Sequence, residues 1–81
     1  MDKFADFIYY LKREKRDDFY MDFSKIEEMI GQPLCKSAYT HTAYWYDDGI
    51  HRFAMLISEA GFKVTPDLKN KRIRLRRKSI L

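Results

Sequence analysis

An apolar stripe at helical spacing predicts a first helix over about residues 3–14. Asp2 precedes the stripe and can cap the helix by accepting a backbone N–H. The stripe lies at positions i, i+3, i+4 and i+7 and consists of Phe4, Phe7, Ile8 and Leu11.

A capping box predicts a second helix over about residues 25–30. The Ser24 oxygen can accept the backbone N–H of Glu27, whose carboxylate can reach back to the Ser24 amide. Gly31 can take the left-handed conformation that ends a helix. Before this helix, the alternating residues Phe19, Met21 and Phe23 predict a short strand over residues 17–23.

A further helix is predicted over about residues 49–60, after a polar and aromatic segment that has no clear periodicity. Asp47 or Asp48 can cap this helix, and Gly61 ends it. In the segment before it, Ser37 can cap a short helix that runs to about residue 43. The apolar stripe of the later helix consists of Phe53, Leu56, Ile57 and Ala60.

Two strands are predicted near the C-terminal end, over residues 62–65 and 71–76, joined by a turn at 66–70. In the second strand Ile73 and Leu75 point to one face, because successive side chains alternate between faces. The opposite face then carries a row of three guanidinium groups, from Arg72, Arg74 and Arg76.

The order of these elements predicts one α+β domain with a winged-helix-like architecture. Three helices and a further short one form the core, which carries a C-terminal β-hairpin, and the short first strand pairs at the edge of that hairpin. The 81 residues of the chain are enough for one domain and too few for two.

Composition favours a protein that stays in the cytoplasm. The one cysteine, Cys35, cannot form an internal disulfide, which favours a reducing compartment. An acid at position 2 and a charged run from position 12 argue against a signal peptide, and no apolar stretch is long enough to span a membrane. We therefore expect no membrane partner.

The charge is divided unevenly along the chain. Residues 69–78 contain seven basic groups and no acid, which leaves nine basic and twelve acidic groups elsewhere. A strongly basic end on an acidic body favours an anionic partner, and nucleic acid is the usual one, with DNA favoured over RNA. The alternative is a solvated edge strand whose charges only prevent aggregation.

The segment 36–46 combines hydroxyl groups and aromatic rings that suit phosphate contacts or base stacking, although such residues also form protein interfaces. We interpret Trp45 as a core residue. Arg52 lies on the solvent face of the last helix, but acids at its N-terminus disfavour base readout. The predicted nucleic-acid contacts are Lys69, Lys71, Arg72, Arg74, Arg76, Arg77, Lys78, Arg52, Lys36, Ser37, Tyr39, His41 and Tyr44.

No constellation in the sequence predicts catalysis, a metal or another cofactor. Cys35 and His41 lie close enough in sequence to meet, but no third group orients them, so we interpret them as a half-buried cysteine and a surface histidine. His41 and His51, with Asp47 or Asp48, lack a recognisable metal-ligand spacing. We therefore expect a binding protein rather than an enzyme.

Two other functions compete with nucleic-acid binding. One is a protein-interaction module, such as a small phage-borne inhibitor of a host nucleic-acid-binding or defence protein. The other is an adaptor that forms a homodimer through its aromatic surface. In the inhibitor, acids that mimic phosphates would be Asp17, Asp18, Asp22, Glu27, Glu28, Asp47 and Asp48.

The stretch 23–76 resembles a family of small bacterial and phage-borne proteins that is classed only as a domain of unknown function. Its pattern is SF-x-EIE-x-IIG-x-x-LP-x-SA, then WW-x-N, then A-x-x-W-x-x-AGF-x-V. Cys35 replaces the proline of the pattern and Tyr44 the first tryptophan. The resemblance implies no activity. The matching residues are Phe23, Ser24, Ile26, Glu27, Ile30, Gly31, Leu34, Ser37, Ala38, His41, Trp45, Ala60, Gly61, Phe62 and Val64.

Overall fold

The computed structural model describes residues 3–47, 49 and 51–78. This part of the chain forms four α-helices, one 3-10 helix and a three-stranded antiparallel sheet that includes a C-terminal hairpin, which confirms the predicted α+β class. The elements are α1 (Ala5–Arg13), β1 (Asp18–Asp22), α2 (Phe23–Ile30), α3 (Lys36–Thr40), the 3-10 helix (Thr42–Trp45), α4 (Arg52–Glu59), β2 (Phe62–Asp67) and β3 (Arg72–Arg77).

Helix α2 begins earlier than the sequence predicts, and the predicted capping box does not form. Phe23 is the first helical residue and Asp22 precedes it, so Ser24 lies inside the first turn. The ring of Phe23 is buried, and its amide donates to the Lys71 carbonyl, which ties the helix start to the hairpin. Gly31, with φ of 77°, ends the helix in the left-handed conformation, as predicted.

The segment between α2 and α4 also differs from the prediction. The expected short helix is divided into α3 and the 3-10 helix, and Ser37 lies within α3 instead of capping it. Gly49 has φ of 81° and lies before α4, because a left-handed residue cannot continue a right-handed helix. His51 precedes α4, so Asp47 does not cap it, and the predicted caps Asp2 and Asp48 lie outside the described residues.

The sheet has the order β1-β3-β2, so the basic strand β3 is central. β2 is longer than predicted and includes Pro66, which an edge strand tolerates because its unpaired side needs no donor. The inner face of the sheet is apolar and is covered by the helices. Its buried residues are Phe19, Met21, Phe62, Ile73 and Leu75.

An aromatic cluster fills the core between the helices and the sheet. Trp45 is 2% exposed, stacks on Phe23 with ring centres 5.4 Å apart, and donates its indole N–H to the Ala38 carbonyl at 2.9 Å. The ring centre of Phe53 lies 5.6 Å from that of Trp45, and the Phe53 ring stacks on Phe4 with ring centres 4.1 Å apart. The predicted core role of Trp45 is therefore confirmed.

Candidate nucleic-acid interface

The outer face of the sheet carries the predicted row of arginines. Arg72, Arg74 and Arg76 alternate with the buried residues Ile73 and Leu75, as the sequence predicts. Across the sheet, β1 contributes outward side chains on one side and β2 on the other. Three cross-strand rows result from the register: Asp18–Arg76–Lys63, Tyr20–Arg74–Thr65 and Asp22–Arg72–Asp67.

Two arginines of this row are neutralised by carboxylates of the same face. Arg74 binds Asp18 through two hydrogen bonds, at 2.8 and 2.6 Å, which lower the pKa of Asp18 and raise that of Arg74. Arg72 donates its Nε to Asp67 at 3.0 Å, and its guanidinium lies 3.9 Å from the ring centre of Tyr20. These two side chains therefore form a network within the sheet face.

Arg77 does not share the outer face. It lies opposite Phe62, in register with the inward positions, and its guanidinium packs 4.6 Å from the Phe62 ring centre. Its Nε binds Asp17 at 2.7 Å, and its Nη2 donates to the carbonyls of Glu14 and Arg16 at 2.6 and 3.1 Å. Arg77 thus joins β3 to the connection between α1 and β1.

Three of the four arginines of β3, Arg72, Arg74 and Arg77, are therefore engaged in ion pairs within the chain. The acids that neutralise Arg74 and Arg77 lie 56 and 60 residues away in sequence. Antiparallel pairing of β1 with β3 brings these acids beside the basic strand. The same pairs occupy Asp17 and Asp18, which reduces the acidic surface that a phosphate-mimicking inhibitor would present.

Four cations on the hairpin make no ion pair within the described part of the chain. Lys63 and Arg76 are exposed and face each other across β2 and β3. Lys69 and Lys71 are exposed in the turn that joins the two strands. The hairpin therefore keeps one pair of cations at its base and another at its tip. Lys78, just beyond β3, bonds to the Ser58 hydroxyl.

The aromatic residues of segment 36–46 are largely used by the fold. Tyr39 is half-buried against Phe23 and donates its hydroxyl to Glu27 at 2.8 Å. Tyr44 is half-buried and packs edge-to-face on Trp45. Its pKa is raised mainly by burial and, to a smaller extent, by electrostatic interaction and a hydrogen bond with Cys35. These two tyrosines are therefore poorly placed for base stacking.

The polar residues of this segment are more accessible. Lys36 and Ser37 are exposed on α3, and His41 is exposed with its Nδ1 2.7 Å from the Thr40 hydroxyl. Arg52 is exposed in the first turn of α4. Cys35 is exposed rather than half-buried as predicted, because it lies at the start of α3 and not on its packed side.

The structure brings a different set of residues next to the hairpin. Along the open edge of β2, a cavity of about 300 Å³ is lined by Lys63, Lys78, Tyr46 and Asp47. The sequence prediction missed Lys63 and Tyr20 as residues near the arginine row. Alternation in β1 is the signal that turns Tyr20 outward. The predicted turn at 66–70 would place Lys63 opposite Ile73, whereas the observed turn at 68–71 places it opposite Arg76.

Within the described residues, no group of three or more His, Cys, Asp or Glu side chains is arranged to hold a metal ion. In the same part of the chain, no helix has the length and apolar character needed to cross a membrane.

The free energy of unfolding is expected to decrease at acid pH because of Glu14, which follows α1 and bonds to Arg16 and Tyr10. Hydrogen bonds from the side chain and backbone of Arg16, with one from Tyr10, lower the pKa of Glu14 from 4.5 to about 2. Because the folded-state pKa is depressed, the stabilisation is complete above pH 4.5 and is lost as the pH falls toward 2. Urea midpoints of the wild type and Glu14→Gln should therefore differ at neutral pH and converge near pH 2. A difference that does not change with pH would contradict this role.

Comparison with known proteins identifies one family and no individual relative. No curated protein matches the chain, and no solved structure matches it. The family described as "Domain of unknown function (DUF7662)" matches residues 4–78, which include every helix and strand of the structure. The match confirms the sequence-based expectation of an uncharacterised small-domain family. The chain therefore belongs to the DUF7662 family of domains of unknown function.

Proposed function

We propose that this chain is a winged-helix-like module that binds the phosphate backbone of nucleic acid, with DNA favoured over RNA. The cations at the base and tip of the hairpin make the contacts. The observation that carries the proposal is that Lys63, Arg76, Lys69 and Lys71 are exposed on one hairpin and make no ion pair within the described residues.

The order of elements supports the winged-helix comparison. A helix, a short strand and further helices precede a C-terminal hairpin, and β1 pairs with the last strand of that hairpin. Helix α4 directly precedes the hairpin, in the position of a reading helix. Its exposed side chains include Arg52, Met55 and Glu59, a set with few groups suited to base edges. Binding led by the hairpin and largely independent of sequence fits this surface.

The two cation pairs are separated along the hairpin. Lys63 and Asp67 lie four residues apart in β2, which corresponds to about 13 Å of extended strand, and the turn lies beyond Asp67. Groups at this separation can contact more than one phosphate, since DNA carries one phosphate about every 3.4 Å along each strand. Arg72, Arg74 and Arg77 hold the hairpin in place but contribute little free charge.

DNA is favoured because a projecting hairpin suits the backbone and minor groove of a B-form duplex. Sequence-specific recognition of RNA usually uses unpaired bases stacked on aromatic rings. Here Tyr39 and Tyr44 are half-buried and Trp45 is buried. Lys36, Ser37, His41 and Arg52 remain candidates for secondary contacts.

The proposal is tested by measuring the affinity for a short random-sequence DNA duplex by fluorescence anisotropy between about 50 and 200 mM salt. Each phosphate contact contributes about 0.9 to the slope of log K against log salt, so the double variant Lys69→Ala/Lys71→Ala should lose about 1.8 of that slope. The matched control is Lys3→Ala/Lys12→Ala, which removes the same charge from exposed sites before and within α1, away from the hairpin.

Two results would reject the proposal. One is the absence of DNA binding at about 50 mM salt, where phosphate contacts are strong. The other is an equal loss of slope in the hairpin variant and the control variant, because the attraction would then come from net charge alone. A single-stranded RNA of the same length, measured alongside the duplex, tests the preference for DNA.

A further inference from the structure

We propose that two copies of the chain associate through α1, packed antiparallel about a two-fold axis at Tyr9. Tyr9 is 63% exposed, the highest value among the large hydrophobic side chains of the described residues. An exposed aromatic ring in the middle of a helix is the kind of residue that anchors protein interfaces.

Two grooves flank Tyr9, one on each side of α1. The groove toward α2 measures about 540 Å³ and is lined by Tyr10 and Met29 together with the charged residues Asp6, Arg13 and Glu14. The groove toward α4 measures about 470 Å³ and is lined by Ala5, Ile8 and Leu56. Tyr9 lines both grooves. A ridge between two grooves can receive the same ridge of a second copy, as side chains of packed helices interdigitate.

The charges around Tyr9 indicate that a second copy is the occupant. Asp6 lies three residues before Tyr9, and Lys12 and Arg13 lie three and four residues after it, so all three share its side of the helix. Antiparallel packing about Tyr9 places Asp6 of each copy opposite Lys12 and Arg13 of the other. Asp6 and Lys12 are exposed and make no ion pair within the described part of the chain.

This arrangement is isologous, because the same patch serves both copies and the contacts close on themselves. α1 has nine residues and is about 13.5 Å long, so the interface is small and the association is weak. The sheet lies on the other side of the helical layer, and its outer face stays exposed in such a dimer. The inference does not depend on nucleic-acid binding.

The experiment is sedimentation equilibrium of the full chain between about 1 µM and 1 mM, which covers weak dissociation constants. The wild type should shift from monomer to dimer within this range. Tyr9→Gln should raise the dissociation constant by about 30-fold or more, as expected for a central aromatic residue. Because Tyr9 is mostly exposed, this variant should keep its circular dichroism spectrum and urea midpoint.

Two charge reversals give a sharper test. Asp6→Lys and the double variant Lys12→Glu/Arg13→Glu should each be monomeric alone, because like charges then face each other in both halves of the interface. An equimolar mixture of the two should form a heterodimer, since every contact again pairs opposite charges. Asp22→Lys is the control and should dimerise like the wild type, because Asp22 faces outward from the sheet.

The favourable placement of acids at the start of a helix and bases at its end is the competing explanation for this charge pattern. It predicts altered unfolding midpoints in the two charge-reversed variants and no heterodimer in the mixture. A wild type that is monomeric throughout the concentration range, or charge-reversed variants that each dimerise normally, would overturn the proposal.

Discussion

Trp45→Ala is expected to lower the free energy of unfolding by about 3–5 kcal/mol. A chain of 81 residues has a stability of about 4–12 kcal/mol, so this variant should lose at least about a quarter of the stability of the wild type, and all of it if that stability lies at the low end of the range. The indole is 2% exposed and contacts the rings of Phe23, Tyr44 and Phe53. Its removal leaves a cavity at the centre of this cluster, and the Ala38 carbonyl loses its partner.

The measurement is urea unfolding followed by circular dichroism, since the variant lacks the only tryptophan of the chain. Trp45→Phe should show an intermediate loss, because it keeps most of the ring packing but not the N–H donor. The neighbouring Tyr46 is 50% exposed, and Tyr46→Ala should change stability by no more than about 0.5 kcal/mol. If Trp45→Ala is as stable as Tyr46→Ala, the core assignment of the indole is wrong.

The elements of this fold could be predicted because their signals are local. The spacing of Phe4, Phe7 and Leu11 requires only a helix, and Gly31 and Gly61 have the left-handed φ that ends one. Alternation in β3 likewise predicts which side chains are buried. The capping box at Ser24 is a local prediction that failed. The helix begins at Phe23 instead, because the buried ring of Phe23 and the hydrogen bond from its amide to the Lys71 carbonyl fix the start of α2.

The charge of the candidate site could not be predicted in the same way. Counting residues 69–78 shows a basic segment, but free charge depends on which acids the fold brings near it. Asp17 and Asp18 are the first residues of the predicted strand 17–23, yet their pairing with Arg77 and Arg74 follows from the β1–β3 register. Sequence spacing does not fix that register when the two strands are separated by three α-helices, the 3-10 helix and β2.

The contrast between ion-paired arginines and exposed lysines decides which variants report on binding and which report on folding. Arg74 and Arg77 are bound to carboxylates and, for Arg77, to two backbone carbonyls. Their replacement should disturb the packing of β1 and of the residues before it against β3, as well as any ligand contact. Lys69 and Lys71 lie in an exposed turn, so their replacement tests phosphate contacts with little effect on the fold. Exposure therefore makes the lysines the better probes.

Glu27→Ala is the second variant with a large expected effect. It should lower the free energy of unfolding by about 2–4 kcal/mol. One oxygen, Oε2, accepts both the Leu34 amide and the Tyr39 hydroxyl at 2.8 Å. The same contacts hold α3 against α2, which positions the segment that carries Trp45. Without the carboxylate, two partly buried donors lose their acceptor, and each such loss costs about 1–3 kcal/mol.

The matched control is Glu27→Gln, because an amide oxygen in the place of Oε2 can still accept both hydrogen bonds. Glu27→Gln should lower the free energy of unfolding by only about 1 kcal/mol, which is the difference between hydrogen bonds to a charged and to a neutral acceptor. Tyr39→Phe removes one donor and should cost less than Glu27→Ala, and the two changes should be non-additive because they share one bond. Urea midpoints of the two single variants and the double variant measure this coupling. Strict additivity would show that Glu27 does not join α2 to α3, and that packing of Phe23 on Tyr39 alone holds the segment in place.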